Sequence, residues 1–286
     1  MDNSKYISFN GKIFTEDEFK LDLNNRAFLY GDGLFETMHA AGGKVHFFYD
    51  HIDRLIRSMK ILKMEVPVRF SIDTLGIQKE IFKLLNKNKF HIAAKIRITV
   101  FRKSGGLYTP TNNEVDYLIQ TEKLETAEYQ LNSNGLIIDI FEDIPKPNNK
   151  LSNLKITSSI YFVIAGIYKS EKKLDDCIVL NEKGNMVEAI SSNLFLVKEN
   201  NIYTPPLSSG CLNGIIRNKI IDISKTLNFN IIDNTPLNSK DLISADEVFL
   251  TNAVSGIKWV LAFKQRRYYN KISKILIAKL NQTALQ

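Results

Sequence analysis

The clearest pattern in the chain is Ala94-Lys-Ile-Arg-Ile-Thr-Val-Phe101, where Ala94, Ile96, Ile98 and Val100 alternate with Lys95, Arg97 and Thr99. A period of two places the apolar set on one face of a strand and the polar set on the other. Ile7 to Phe14 predicts a hairpin turning at Asn10-Gly11, because Asn-Gly supplies the positive φ angles of a type I′ turn. Phe35 to Phe48 repeats the device around Gly42-Gly43. Ile52, Leu55, Ile56 and Met59 stand at i, i+3, i+4 and i+7, the spacing of a helix face. A second helix is predicted from about Ser71 to Asn86, and a strand from Val115 to Thr121.

Beyond a polar stretch from Glu122 to Asn134, a strand is read at Leu136 to Phe141 and broken by Pro145-Lys-Pro-Asn-Asn149. A helix beginning near Ser158 carries Ile160, Val163, Ile164 and Ile167 on one face. A hairpin from Cys177 to Ile190 follows, then a strand at Leu194 to Val197 and a helix from Ile215 to Leu227. A strand at Glu247 to Asn252 and a helix near Lys271 to Leu280 complete the order. Hairpins with interspersed helices on both sides of a linker predict two α+β domains, 1–121 and 135–286, joined by 122–134.

Composition narrows the class. The chain has 286 residues, 44% hydrophobic and 24% charged, as expected of a soluble globular protein, and its two cysteines fit reduced thiols in the cytoplasm. Its start, Met1 to Ser8, lacks the apolar core of a signal peptide, and no apolar run reaches the ~18 residues of a membrane span. Cys177 and Cys211, with four scattered histidines, have no metal-ligand spacing. The net charge of +7 is spread along the chain and dense only at Lys264-Gln-Arg-Arg267, which argues against nucleic acid and suits an anionic small molecule.

Candidate chemistry concentrates in Glu188-Ala-Ile-Ser-Ser-Asn-Leu-Phe195, Tyr203-Thr204 and Leu212-Asn-Gly-Ile-Ile-Arg217. Glu188 lies in an apolar strand, where an ionised carboxylate needs a cationic partner unless it simply faces solvent. Gly214, Ile215 and Ile216 open a helix, whose free N–H groups can hold a dianion. A ligand with a cationic ring nitrogen and a phosphate would satisfy both, and pyridoxal 5′-phosphate is such a molecule. The pattern resembles the signature of the class IV aminotransferases, which are fold-type IV pyridoxal phosphate enzymes. The resemblance covers nearly the whole chain.

That resemblance implies a two-domain α+β fold with the active site between the domains, and a homodimer. It implies that Lys155, between Leu154 and Ile156 and 33 positions before Glu188, is the Schiff-base lysine. On residue type alone Lys155 could equally be an edge lysine reaching solvent. It assigns cofactor contacts to Arg54, Glu188, Asn193, Gly214, Ile215, Ile216 and Asn252, although Arg54 in His51-Ile-Asp-Arg54 could by itself be a helix-surface ion pair. It assigns the substrate side to Tyr30, His39, Arg102 and Tyr108, within Arg26 to Thr37 and the Arg102-Lys-Ser-Gly-Gly-Leu-Tyr108 loop.

Three reactions share this scaffold: branched-chain amino acid transamination, D-amino acid transamination, and cleavage of 4-amino-4-deoxychorismate to 4-aminobenzoate and pyruvate. Thr37, Ile160 and Asn252-Ala253 depart from the branched-chain pattern, and Thr37, Asn252-Ala253 and the Ser104-Gly-Gly loop are similar to the lyases. A hydroxyl at Thr37 could relay a proton beside the lysine, so Thr37 joins Lys155 as a catalytic candidate. Leu107 and His39 stand where arginines are common, which counts against a full lyase pattern. The expected activity is therefore the lyase, with transamination as the alternative. A catalytically silent binding protein on the same fold is the remote third reading.

Overall fold

The Asn-Gly hairpin forms as expected. Asn10 and Gly11 take φ angles of 49° and 84° and join β1 (Tyr6–Phe9) to β2 (Lys12–Thr15). The computed structural model describes residues 5–284, so the first half of the Met1 to Ser8 stretch lies outside the described residues. The chain divides into two compact units, the first running to Glu128 and including Lys155–Ser158, the second comprising the rest.

In the first unit, α1 (Arg26–Tyr30), β3 (Gly33–Ala41), β4 (Lys44–Val45) and α2 (Phe48–Ile61) precede α3 (Val68–Ser71), α4 (Thr74–Lys87), β5 (Ala93–Arg102) and β6 (Val115–Leu124). The six strands form an antiparallel sheet in the order β2-β1-β6-β5-β3-β4. Its core face carries Met38, Ile96 and Ile98, and α2 and α4 contribute Leu55, Met59 and Ile81, all almost fully enclosed. The helix expected from about Ser71 to Asn86 is α4, which starts at Thr74 after the short α3. The side chain of Asp73 accepts from the Gly76 N–H at 3.0 Å and so starts α4 afresh. β6 runs through Leu124, three residues into the stretch read as linker, because Ala93, Ala94 and Lys95 continue to pair with it.

The second unit contains β7 (Leu136–Lys146), α5 (Ile160–Glu171), β8 (Asp176–Asn181), β9 (Met186–Ala189), β10 (Asn193–Lys198), β11 (Asn201–Tyr203) and α6 (Ile215–Thr226). β12 (Asn230–Ile232), α7 (Ser239–Ser244), β13 (Glu247–Asn252), β14 (Gly256–Phe263), β15 (Arg266–Arg267) and α8 (Lys271–Ala284) complete it. Nine strands make a mixed sheet, β12-β11-β10-β13-β14-β7-β8-β9, with β15 paired to β14. β7 runs past Phe141 through a register shift and ends at Lys146, so the strand stops within the Pro145–Asn149 stretch expected to break it. α5 turns Phe162, Ile164 and Tyr168 inward and leaves Ile160, Val163 and Ile167 half exposed or more. No helix among the described residues is long and apolar enough to cross a membrane.

Candidate active site

Lys155 enters the first unit through its backbone. Its carbonyl accepts from the Phe35 N–H at 2.9 Å, the Thr157 N–H donates to the Gly33 carbonyl at 2.9 Å, and Ile156 bridges Leu34. These bonds clamp a short extended segment onto the start of β3, so Lys155–Ser158 packs with the first unit although its sequence neighbours belong to the second. The Thr157 hydroxyl donates to the Gly31 carbonyl at 2.8 Å and steadies the turn before β3. Lys155 Nζ stands 4.2 Å from the Phe35 ring centroid.

The face of β3 that bears Phe35 also bears Thr37 and His39, since alternate residues share a face. Directly opposite Thr37 on β5 is Arg97. Its guanidinium lies 3.8 Å from the Phe35 centroid and donates to the Thr99 hydroxyl at 3.2 Å, and partial burial weakens its hold on its proton. Among the described residues no carboxylate pairs with it. Arg97 was legible as a polar-face residue of an alternating strand, but nothing local distinguished it from Lys95 as a site residue.

Arg102, expected on the substrate side, is committed to the fold. It is buried and donates to Asp32 at 3.0 Å, to Asn113, and to the carbonyls of Leu62 and Lys63 at 2.9 and 3.4 Å. Arg26 likewise holds Asp32 at 2.9 Å and the carbonyls of Gly105, Gly106 and Leu107, which fixes the Ser104-Gly-Gly loop. Tyr30 and Tyr108 meet with ring centroids 5.7 Å apart, Tyr108 largely exposed. His39 is buried and stacks on His46 at 4.8 Å with the rings parallel. Burial and the neighbouring His39 push His46 down to about 4, so it stays neutral near pH 7.

On the opposite face of β3, Glu36 accepts from Arg54 Nε and Nη2 at 2.7 and 2.6 Å and from His51 Nδ1 at 2.7 Å, all three buried. Burial alone would raise the Glu36 carboxyl, but the Arg54 charge and the His51 hydrogen bond outweigh it and hold it at about 2. The arginine read as a surface pair or a phosphate clamp is thus a buried, rigidly aimed guanidinium.

In the second unit the Glu188 carboxylate is buried on β9 and doubly held. One oxygen accepts from Lys146 Nζ at 2.5 Å, the other from the Leu212 N–H at 3.0 Å. Asn193, also buried, donates to the Leu212 carbonyl at 2.8 Å and presses on Gly214, where a Cβ would fall 1.9 Å from its Oδ1. Gly214 is required at that contact. It opens α6 with no side-chain cap, so the N-cap residue offers the first-turn N–H groups of Ile215 and Ile216 no acceptor. Asn252 accepts from the Val254 and Ser255 N–H groups at 3.0 and 2.9 Å and donates to the Ser192 hydroxyl at 3.0 Å. Its amide therefore fixes two loops beside the strand ends. An uncapped helix N-terminus approached through glycine, with a buried carboxylate beside the same loop, is a donor and acceptor set that fits a phosphate and a protonated ring nitrogen.

Comparison with known proteins agrees with this chemistry. The family described as amino-transferase class IV matches residues 33–262. A Methanocaldococcus jannaschii protein named after branched-chain-amino-acid aminotransferase is 27% identical over 96% of this chain and 94% of its own length. The aminodeoxychorismate lyase of Bacillus subtilis is 28% identical over 88% of this chain and 84% of its own. Among solved structures, the branched-chain aminotransferase of Thermobaculum terrenum in its PLP form superposes with a TM-score of 0.86 at 17% identity, covering 99% of this chain and 95% of that one.

Proposed function

The chain belongs to the class IV aminotransferase family of pyridoxal phosphate enzymes, and from that premise we propose that it is a 4-amino-4-deoxychorismate lyase. The observation that carries this reading is the shared face of β3 and β5, where Thr37 lies opposite Arg97 and next along the strand from the Phe35 ring against which Lys155 rests. Bound pyridoxal 5′-phosphate supplies an electron sink for the substrate's bonding electrons. The amides of Gly214, Ile215 and Ile216 would hold its phosphate, with Arg54 the cation that the family resemblance assigns to it, and Glu188 would hold the proton on its ring nitrogen. Lys155 Nζ takes and returns the substrate proton. The Thr37 hydroxyl, which can both donate and accept, passes a proton on while the ring carbon–oxygen bond of the enolpyruvyl ether breaks and enolpyruvate leaves, taking a proton on its methylene carbon to become pyruvate. Arg97 anchors a substrate carboxylate, the task left open by His39 and by the commitment of Arg102 to Asp32.

Incubation with aminodeoxychorismate should release 4-aminobenzoate and pyruvate in equal amounts. Thr37→Val keeps the shape and removes the hydroxyl, so lyase turnover should fall by about one to two powers of ten. Any slow amino-group transfer to 2-oxoglutarate should be nearly spared. Rapid turnover of branched-chain or D-amino acids with no 4-aminobenzoate would overturn the lyase in favour of the second reading, transamination. Relatives named for that activity support this second reading.

Arg97→Met should raise KM for the anionic substrate by about tenfold to a hundredfold, the worth of a charged hydrogen bond. An unchanged KM would remove Arg97 from the substrate side.

The half-exposed Ile160, Val163 and Ile167 on α5 further support self-association as a homodimer, since a monomer gains nothing by presenting such a stripe to water. Sedimentation at micromolar concentration should give twice the 32.7 kDa chain mass, and a monomer there would refute it.

A further inference from the structure

We infer that Lys146 is a positioning residue that sets a fixed positive charge against Glu188 and aims its carboxylate at the ring nitrogen of the bound cofactor. Pro145 and Pro147 flank it, and the sequence offered it only as part of a strand break. In the fold it is a buried lysine whose three ammonium donors are all used: on Glu188 Oε1 at 2.5 Å, the Ser152 carbonyl at 2.8 Å and the Gly210 carbonyl at 2.7 Å. Ser152 lies three positions before Lys155, and Gly210 begins the loop that leads to Gly214. One side chain thus ties the carboxylate to the approaches of both other cofactor-contacting segments.

The physical case rests on charge. A buried carboxylate is costly without a partner of opposite charge, and only a charged carboxylate attracts a protonated ring nitrogen. The ammonium in direct contact supplies that partner. It also leaves Glu188 Oε2 oriented by a second fixed donor, the Leu212 N–H. A structural staple would need only hydrogen bonds, whereas this function needs the positive charge.

The inference rests on the proposed cofactor site, and the test separates the two. Affinities of the full-length apoprotein for pyridoxal 5′-phosphate and for its analogue with CH in place of the ring nitrogen are measured by fluorescence quenching. The wild type should prefer the nitrogen-bearing ligand by about tenfold or more, as for one charge-assisted hydrogen bond. Lys146→Met and the polar, uncharged Lys146→Gln should both shrink that preference to within about threefold, mainly by weakening pyridoxal phosphate binding. Glu188→Gln should do the same, and adding Lys146→Met to it should change the ratio no further. If the Lys146 variants lose affinity for both ligands in parallel, Lys146 is a staple and the inference fails while the cofactor reading stands. If the wild type shows no preference at all, the assignment of Glu188 fails with it.

Discussion

Replacing Lys155 with alanine should abolish turnover, a loss greater than about three powers of ten or ~4 kcal/mol in the barrier, while leaving the fold intact. The size of the effect follows because, among the described residues, the further cation at the Phe35 ring is Arg97, whose guanidinium cannot exchange a proton at any working pH. The intact fold follows from the way Lys155 is held. Its backbone is held by the bond from Phe35 N–H to its carbonyl and by the neighbouring Leu34–Ile156 bridge, and alanine makes the same bonds. Circular dichroism and the melting temperature should therefore match the parent. Borohydride reduction of the holoenzyme followed by peptide mapping should recover the pyridoxyl group on Lys155, and a label on any other lysine would overturn the assignment.

Glu188→Gln should be costly in two separate ways. Catalysis should fall by two or more powers of ten, about 2.7 kcal/mol or more, because the amide no longer favours the protonated ring nitrogen. The protein without added cofactor should also melt at a lower temperature. Glutamine can still accept from Lys146, but the ammonium loses its counter-charge, and breaking a buried pair in this way costs about 3–5 kcal/mol when nothing replaces the charge. The retained acceptor puts the expected loss at the lower end. Turnover and melting are read independently, so full activity would show that Glu188 faces elsewhere, and an unchanged melting curve would show that the Lys146 contact carries no net stability.

Much of the fold and part of the site could be read from the chain because they depend on near neighbours. The alternation in β5, the Asn10-Gly11 turn, the face of α2 and the bounds of β13 are set by residues a few positions apart, and these appear where expected. The same holds for the uncapped glycine opening of α6 and for Glu188 among Met186, Val187 and Ala189, since both are statements about consecutive residues. β14 escaped notice although it pairs with both β13 and β7, for its run from Gly256 to Phe263 carries no strict alternation.

What only the tertiary structure decided is how each polar group spends its donors. Arg97 and Arg102 sit five positions apart on one strand, and sequence reading chose Arg102. The fold surrounds Arg102 with Asp32, Asn113 and two carbonyls, and sets Arg97 beside the Phe35 ring, where no carboxylate among the described residues pairs with it. Lys146 meets an acid 42 positions away, and Arg54 meets one 18 positions away, through strands and helices whose register no local pattern records. A side chain's chemical identity is written in the sequence, but its charge partner and the donors left for a ligand depend on long-range packing, because a buried charge takes whichever partner the fold brings within hydrogen-bond reach.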